Sequence, residues 1–172
     1  DVYKRQKYFY ENASGRDTFC GSIYWEKPNT PETGEPASTG GSGGWSQGHA
    51  LDIVIDAYIR HANNPEYQAH LYENIMKPFL PAFDDWNEDC GYGGKDFWNN
   101  FYDDMEWMAL SCLRVYELTG DQDYYSALMK MWNHIKGAKN DYKGVGGMAW
   151  KTDAPASRMS CSNGPGLSLI HI

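Results

Sequence analysis

The chain has 172 residues, a length typical of one domain with its own hydrophobic core, and 15% of its residues are aromatic. Rings at this density either fill a core or line a site that stacks on the apolar faces of sugars. The net charge of -8 argues against a nucleic-acid partner, because phosphate binding depends on clustered lysine and arginine side chains. No apolar run reaches about 18 residues, so no membrane-spanning segment is predicted. The four cysteines lack the spacing of a zinc site.

The two ends of the chain differ in character from the rest. Residues 1–6 and 167–172 resemble translated sequencing-adapter read-through, and we expect both to be non-native. This interpretation also accounts for the lack of an initiator methionine and of a signal peptide. We expect the chain to be a fragment, roughly the first third of a longer protein. The competing interpretation is that both ends are ordinary native termini.

The first predicted helix follows a long loop. Residues 28–44 are rich in proline, glycine, serine and threonine, a composition typical of a loop. A helix is predicted to begin near Gln47. Its polar side chains form so narrow a stripe that we expect it to be buried on most sides. Within that stripe, an ion pair with Arg60 is the expected role of Asp52 and Asp56.

A second predicted helix starts at Pro65 and has one apolar and one polar face, so we expect it to be half exposed. Pro78 is expected to kink or end it. The same two patterns then recur. Residues 105–118 are apolar nearly all round, with a single polar arc formed by Glu106, Arg114 and Glu117. Residues 122–136 are amphipathic again.

This alternation of buried and half-exposed helices is typical of stacked helical hairpins with an inner and an outer layer. The sequence therefore predicts an all-α fold. Two hairpins do not cover their own inner helices, because such arrays need about three or more repeats. We expect these helices to be part of a larger ring.

Two adjacent acids, Asp103 and Asp104, open the third predicted helix. Aspartates in a first helical turn commonly cap free N–H groups, and this is the competing structural interpretation. One aspartate is enough for a cap, however. The pair is also embedded among aromatic residues, namely Phe97, Trp98, Phe101, Tyr102 and Trp107. Since two nearby carboxyl groups can act as acid and nucleophile, the pattern favours a catalytic pair in a sugar cleft.

The segment Tyr102-Asp-Asp-Met-Glu-Trp107, continued by residues 113–121, resembles the signature of glycoside hydrolase family 76, the α-1,6-mannanases. Residues 47–58, 146–151 and 160–166 resemble further segments of that family in the same order. The resemblance runs from about residue 22 to residue 166. This sequence departs from the family pattern at Arg158-Met159, where the family commonly has a Lys-Asn pair. The departure bears on one local contact and not on the reaction class.

The resemblance implies a partial (α/α)6 barrel of inner and outer helical hairpins, of which about the first four to five helices are present. Residues 7–166 would then be a partial catalytic domain. It implies a retaining mechanism with Asp103 as nucleophile and Asp104 as general acid and base, carboxyl groups about 5 to 5.5 Å apart. The implied substrate is α-1,6-linked mannan or a manno-oligosaccharide. Neither a metal nor an organic cofactor is implied. We expect a monomer at full length, and a secreted, periplasmic or cell-surface location in a bacterium.

Other residues are weaker candidates for the site. The residues that could bind substrate at the border of the cleft are Gln47, His49, Tyr102, Trp107, Trp150 and Asn163. Core packing is the competing interpretation for Trp107 and Trp150, and a helix-start contact is the competing interpretation for His49.

Two other functions stay open on the sequence alone. One is a glucuronyl hydrolase or sugar epimerase on the same barrel, although none of the five histidines forms the catalytic pair that an epimerase needs. The other is a non-catalytic helical-hairpin module that binds glycan. An Asp103→Asn variant of an enzyme would lose turnover and keep its glycan affinity, whereas a binding module has no turnover to lose.

Overall fold

A computed structural model describes residues 44–171 of the chain. These residues form six α-helices, which are α1 (Gly44–Arg60), α2 (Pro65–Leu71), α3 (Lys77–Asp89), α4 (Tyr102–Thr119), α5 (Gln122–Ile135) and α6 (Ser160–Ile170). A π-helical segment, Tyr72–Met76, joins α2 to α3, and a 3-10 turn, Lys136–Ala138, follows α5. Within residues 44–171, β structure is limited to isolated bridges. The predicted all-α fold is confirmed. Of the predicted loop at residues 28–44, only Gly44 is described, and it is the first residue of α1, so the loop prediction is wrong there. The rest of that loop and the segment 1–6 lie outside the described residues.

The helices form two layers, as the alternating pattern predicted. Helix α4 lies in the middle of the inner layer and packs against α1 on one side and α6 on another. Helix α5 packs against α4 from the outer layer, and α2 with the π segment packs against α1. The arrangement matches helical hairpins of a partial (α/α)6 barrel. None of these helices is both long and apolar enough to cross a bilayer.

Local sequence sets the ends of the helices. The Asn64 side chain accepts a hydrogen bond from the Tyr67 N–H at 3.1 Å and so caps α2. Helix α4 ends at Gly120, which has a left-handed φ of 74° that glycine adopts without strain. One residue later, the Asp121 side chain accepts from the Asp123 N–H at 2.9 Å and caps α5. The tight turn between α4 and α5 follows from these two residues.

The helix that begins at Pro65 does not end at Pro78. It passes through a π turn, in which the N–H of Lys77 bonds to the carbonyl of Tyr72, and continues to Asp89. Proline has no N–H and its ring needs room in the preceding turn, which the wider π geometry provides. The distortion expected at Pro78 therefore takes the form of a π turn, and the expectation of a helix end is wrong.

Helix α1 is less enclosed than its sequence indicated. Leu51, Val54 and Ile55 are buried against α4 and the outer layer, but Ile53 is 65% exposed and Ile59 46% exposed. Its partners are α4 and the pair formed by α2 and the π segment, and they cover one side of α1 only. The expectation that α1 is buried on most sides is wrong for residues 44–171.

An ion-pair cluster joins the first inner helix to the central one. The Arg114 guanidinium on α4 donates to Asp52 Oδ1 at 2.7 Å and to Asp56 Oδ1 at 2.6 Å. The expected pair with Arg60 is therefore wrong. Arg114 reaches both acids because α1 and α4 lie side by side, whereas a pair with Arg60 would have stayed within one helix. These contacts are partly exposed, so we assign them mainly to the alignment of the two helices.

The last helix includes residues that the sequence suggested are non-native. Helix α6 continues to Ile170, and Leu169 is buried in the core, whereas Leu167 and Ile170 are exposed. The origin of residues 167–172 stays a prediction, because a helical fold of residues 167–170 is compatible with either source.

Helices α1 and α4 approach each other most closely at Gly48. A Cβ atom on this residue would stand 3.1 Å from the Trp107 carbonyl carbon and 3.2 Å from the Met108 nitrogen, both backbone atoms that cannot move without the helix. Gly164, inside α6, has nothing within 4 Å of the same position. The two glycines therefore differ in steric surroundings while both lie inside helices.

We predict opposite effects of alanine at these two positions. Gly48→Ala should lower the free energy of unfolding by about 1–3 kcal/mol, because overpacking outweighs the better helix propensity of alanine. Gly164→Ala is the matched control and should leave it unchanged or raise it by up to about 1 kcal/mol. Thermal or denaturant unfolding of both variants checks this. Equal stabilisation by both substitutions would contradict the close packing of α1 on α4.

Candidate active site

The two acids singled out by the sequence lie in the first turn of α4, and both are buried, with 9% of Asp103 and 5% of Asp104 exposed. Neither makes a side-chain cap for its own helix, since the N-cap residue is Phe101 and has no side-chain cap bond. Asp104 instead accepts from the N–H groups of Gly44 at 2.9 Å and Trp45 at 3.2 Å. Asp104 therefore does cap free N–H groups at a helix start, as the capping interpretation held, but the helix is α1 and not its own helix α4. Asp103 makes no such cap.

Asp103 is held by the segment before α6. Its Oδ2 atom accepts from the Trp150 indole N–H at 3.3 Å. Trp150 lies beside Asp103 because residues 150–152 pair in antiparallel fashion with residues 100–102, at the start of α4. In this pairing the Tyr102 N–H donates to the Trp150 carbonyl at 2.9 Å, and the Thr152 N–H donates to the Asn100 carbonyl at 3.0 Å. The second oxygen, Oδ1, is enclosed and has no hydrogen-bond partner within residues 44–171. The two oxygens of Asp103 therefore have different surroundings.

Burial raises the pKa of Asp104 to about 6, and the negative charge of Asp103 adds to this effect. The two backbone N–H groups oppose it, because they stabilise the ionised carboxylate. Removal from water is the larger influence. Asp104 can consequently carry a proton at mildly acidic pH, where an ordinary aspartate is ionised.

A third carboxyl group, Glu106, lies beside this pair and was not identified as a site residue from the sequence. It is fully buried, and neither of its carboxyl oxygens has a hydrogen-bond partner in the described chain. Burial, and then the charge of Asp103, raise the pKa of Glu106 to about 9. The sequence analysis placed Glu106 on a polar arc with Arg114 and Glu117 and did not predict that its side chain is buried. Helix α6 covers it, since a Cβ on Gly166 would stand 3.0 Å from Glu106 Oε1.

Aromatic side chains flank the carboxylates on two sides. On the side of Asp104, the His49 ring lies 5.9 Å from the Trp45 ring and 4.7 Å from the Trp107 ring, measured between centroids. On the side of Asp103, the Trp150 ring lies 5.2 Å from that of Phe101. Trp45 is 48% exposed, so the first cluster presents an aromatic surface to solvent. Two proposed substrate-binding residues, His49 and Trp107, meet here.

The remaining sequence candidates are engaged in the fold. Gln47 is buried within α1. The hydroxyl of Tyr102 lies 3.9 Å from the position that a Cβ on Gly137 would occupy, so it points towards the end of α5. Asn163 uses its side chain to accept from the Met148 N–H at 3.0 Å and to donate to the carbonyls of Met148 and Met159. The structure therefore brings Trp150 into contact with Asp103, the neighbour of Asp104, and leaves Gln47, Tyr102 and Asn163 in supporting positions.

The site also contains a thiol that the sequence did not indicate. Burial, and then a contact with Asp103, raise the pKa of Cys161 on α6. Cys90, Cys112 and Cys161 are free thiols, and Cys20 lies outside the described residues. In the part of the chain that the structure describes, no three His, Cys, Asp or Glu side chains are arranged to hold a metal ion.

Several solved structures resemble this fold. An α-1,6-mannanase from Salegentibacter sp. HEL1_6 is 32% identical, with a TM-score of 0.70, over 99% of this chain and 44% of that one. An inactive variant of that enzyme, with two consecutive aspartates replaced by alanine and with α-1,6-mannotetrose bound, matches at 31% identity and a TM-score of 0.69 over the same shares. The Lin0763 protein from Listeria innocua is 25% identical, with a TM-score of 0.65, over 96% of this chain and 42% of that one.

The chain thus spans less than half the length of these solved proteins. A comparison with curated protein sequences finds no match. The sequence profile described as glycosyl hydrolase family 76 matches residues 4–170, which is nearly the whole chain. The chain therefore belongs to glycosyl hydrolase family 76.

Proposed function

We propose that the protein is a retaining glycoside hydrolase that cleaves α-1,6-mannosidic linkages in mannan, with Asp103 as nucleophile and Asp104 as general acid and base. The observation that carries this proposal is the pair of adjacent, buried carboxyl groups at the start of α4, each held by donors from a different part of the fold. Such different surroundings suit two carboxyl groups with two separate roles.

The solved relatives support this assignment. The Salegentibacter enzyme is an α-1,6-mannanase, and its variant with two consecutive aspartates replaced is described as inactive and binds α-1,6-mannotetrose. This chain has a second consecutive pair, Asp84-Asp85, in α3. Asp84 accepts from the Phe97 N–H at 2.8 Å and Asp85 is exposed. That pair supports a loop, so Asp103 and Asp104 are the better match to the aspartates of the relative.

In the first chemical step, Asp103 attacks the anomeric carbon of a mannosyl residue. The attacking oxygen is Oδ2, because Oδ1 is enclosed. The bond from the anomeric carbon to the glycosidic oxygen breaks, and its electron pair stays on that oxygen, which takes the proton of Asp104. The products are a mannosyl ester of Asp103, an ionised Asp104 and the released part of the glycan.

In the second step, Asp104 acts as a base. It takes a proton from water as the water oxygen attacks the anomeric carbon, and the ester bond to Asp103 breaks with its electron pair returning to the carboxylate. Both carboxyl groups then have their starting protonation states. The pKa of about 6 at Asp104 suits a group that alternates between acid and base.

The aromatic surface formed by Trp45, His49 and Trp107 is the proposed contact for mannosyl rings next to the cleaved bond. It adjoins Asp104 through the Trp45 N–H, and indole rings pack well on the apolar faces of sugars. Trp150 fixes the nucleophile, and Gln47, Tyr102 and Asn163 support this arrangement from within the fold.

The wider proposals follow the family. We propose that residues 7–166 are a partial catalytic domain, that the whole protein is monomeric, and that it is secreted to the periplasm or cell surface of a bacterium. A non-catalytic module that binds glycan is the alternative, and the variants below separate it from an enzyme.

The first prediction concerns turnover of linear α-1,6-mannan, measured as release of reducing ends. Asp103→Asn should lower kcat by about 1000-fold or more, because the nucleophile is lost. Asp104→Asn should lower it by about 100- to 10,000-fold, through loss of acid and base catalysis.

The matched control for these variants is Asp85→Asn, which removes the same charge from an exposed aspartate of the second pair and should leave kcat unchanged. Binding of manno-oligosaccharide to the Asp103→Asn variant should persist. A wild-type protein that binds the oligosaccharide and releases no reducing ends would support the non-catalytic module and contradict the enzyme.

The second prediction concerns pH. A general acid must be protonated to act, so kcat/KM should fall about tenfold per pH unit above the pKa of Asp104, which is about 6. The residual activity of Asp104→Asn should lack this fall, since asparagine does not titrate. Asp85→Asn should retain it. An alkaline fall that survives in Asp104→Asn would assign the general acid to another group.

A further inference from the structure

Glu106 has the least usual environment of any carboxyl group in the described chain. Its side chain is fully buried, and neither oxygen has a hydrogen-bond partner within residues 44–171. The backbone of α6 covers it at Gly166, together with the Met148 side chain, which touches the same glycine. Within residues 44–171, no lysine, arginine or histidine compensates its charge.

An ionised carboxylate in this position would have no donor and no counter-ion. Moving an isolated charge of this kind out of water costs far more than placing a neutral acid there, so such groups bind a proton. A neutral carboxylic acid has one O–H donor, however, and a buried donor also needs an acceptor. The environment of Glu106 therefore calls for a neighbouring acceptor.

Asp103 supplies one. It lies three residues earlier on the same helix, and residues at this spacing are neighbours on one helical face, with Cβ atoms about 5–6 Å apart. Its Oδ1 atom is also enclosed and has no hydrogen-bond partner within residues 44–171, although the Cys161 thiol, a weak donor, contacts the Asp103 carboxyl group. A single proton between the two carboxyl groups would satisfy both of these buried atoms.

We propose that Glu106 is a positioning residue for the nucleophile: it stays protonated and donates its proton as a hydrogen bond to Asp103 Oδ1, leaving Oδ2 to face the substrate. This proposal rests on the proposed function, because Asp103 is the nucleophile there. The bond would give the enclosed oxygen of the nucleophile a hydrogen-bond donor. It would also fix the carboxylate plane, together with the Trp150 indole on the other oxygen.

The charges around Glu106 are few. On its own helix, Asp103 is the only charged group that acts on it, and it raises the pKa of Glu106 in the same direction as burial does. From α6, the nearby group is the Gly166 backbone, and the Cys161 thiol contacts Asp103. From the preceding segment it is Met148. None of these is a cation.

The protonation state has a direct spectroscopic test. Infrared difference spectra of the wild-type protein and the Glu106→Gln variant, taken at about pH 7.5, should show the carbonyl band of a protonated carboxyl group that the variant lacks. At this pH Asp104, with its pKa of about 6, is mostly ionised and does not produce the band. If the spectra contain no such band, Glu106 is ionised and the proposal is overturned.

The same proton has a signature in stability. The pKa of Glu106 is about 9 in the folded protein, higher than the ordinary value of 4.5 that applies in an unfolded chain. The protonated group therefore stabilises the folded state at low pH, and this stabilisation is lost as the pH rises from about 4.5 to 9. The free energy of unfolding of wild type relative to Glu106→Gln should therefore decrease across that range. A flat difference would contradict the proposal.

The positioning role is tested by kinetics with two variants. Glu106→Gln keeps a neutral donor and should retain kcat within a few-fold of wild type. Glu106→Met removes the donor and should lower kcat by about 10- to 100-fold with little change in KM.

A purely structural role would not depend on the donor, so a Glu106→Gln variant that is as slow as Glu106→Met overturns the positioning role. If the wild-type protein does not hydrolyse α-1,6-mannan at all, the proposed function fails, and with it the positioning role. The infrared and stability measurements still decide whether Glu106 holds the proton, so the two failures are distinguishable.

Discussion

Three carboxyl groups, Asp103, Asp104 and Glu106, are removed from water within the first two turns of α4, and the surrounding fold has to compensate for that burial. The beginning of α1 supplies two N–H groups to Asp104, and the segment before α6 supplies the indole of Trp150 to Asp103. Each donor group comes from a different part of the chain. The burial of these groups therefore depends on the packing of α1 and α6 on the central helix.

This dependence explains why the site lies where it does. Helix α4 has inner-layer neighbours on two sides, while α1 presents exposed apolar residues along one side. Among the described helices, α4 is therefore the one that encloses several polar groups and receives donors from both neighbours. The close contact at Gly48 brings α1 near enough for its first N–H groups to reach Asp104.

Much of this could be predicted from the sequence, because helical periodicity and capping residues act locally. The alternation of buried and half-exposed helices and the Asp103-Asp104 pair were both found in this way. The π turn before Pro78 was not, since periodicity does not register a single inserted residue in a helical turn. Contacts across the fold were also missed. The pairing of Arg114 with Asp52 and the burial of Glu106 depend on helices that are far apart in sequence.

The measurement that tests the central claim most directly is the search for a covalent mannosyl adduct after reaction with a slow, activated α-mannosyl substrate, by mass spectrometry of proteolytic peptides. A retaining enzyme with this site forms an ester between the anomeric carbon and the nucleophile. We predict a mannosyl adduct on Asp103 that is absent from Asp103→Asn and present in Asp85→Asn. An adduct on another residue, or turnover with inversion of the anomeric centre and no adduct, would contradict the account.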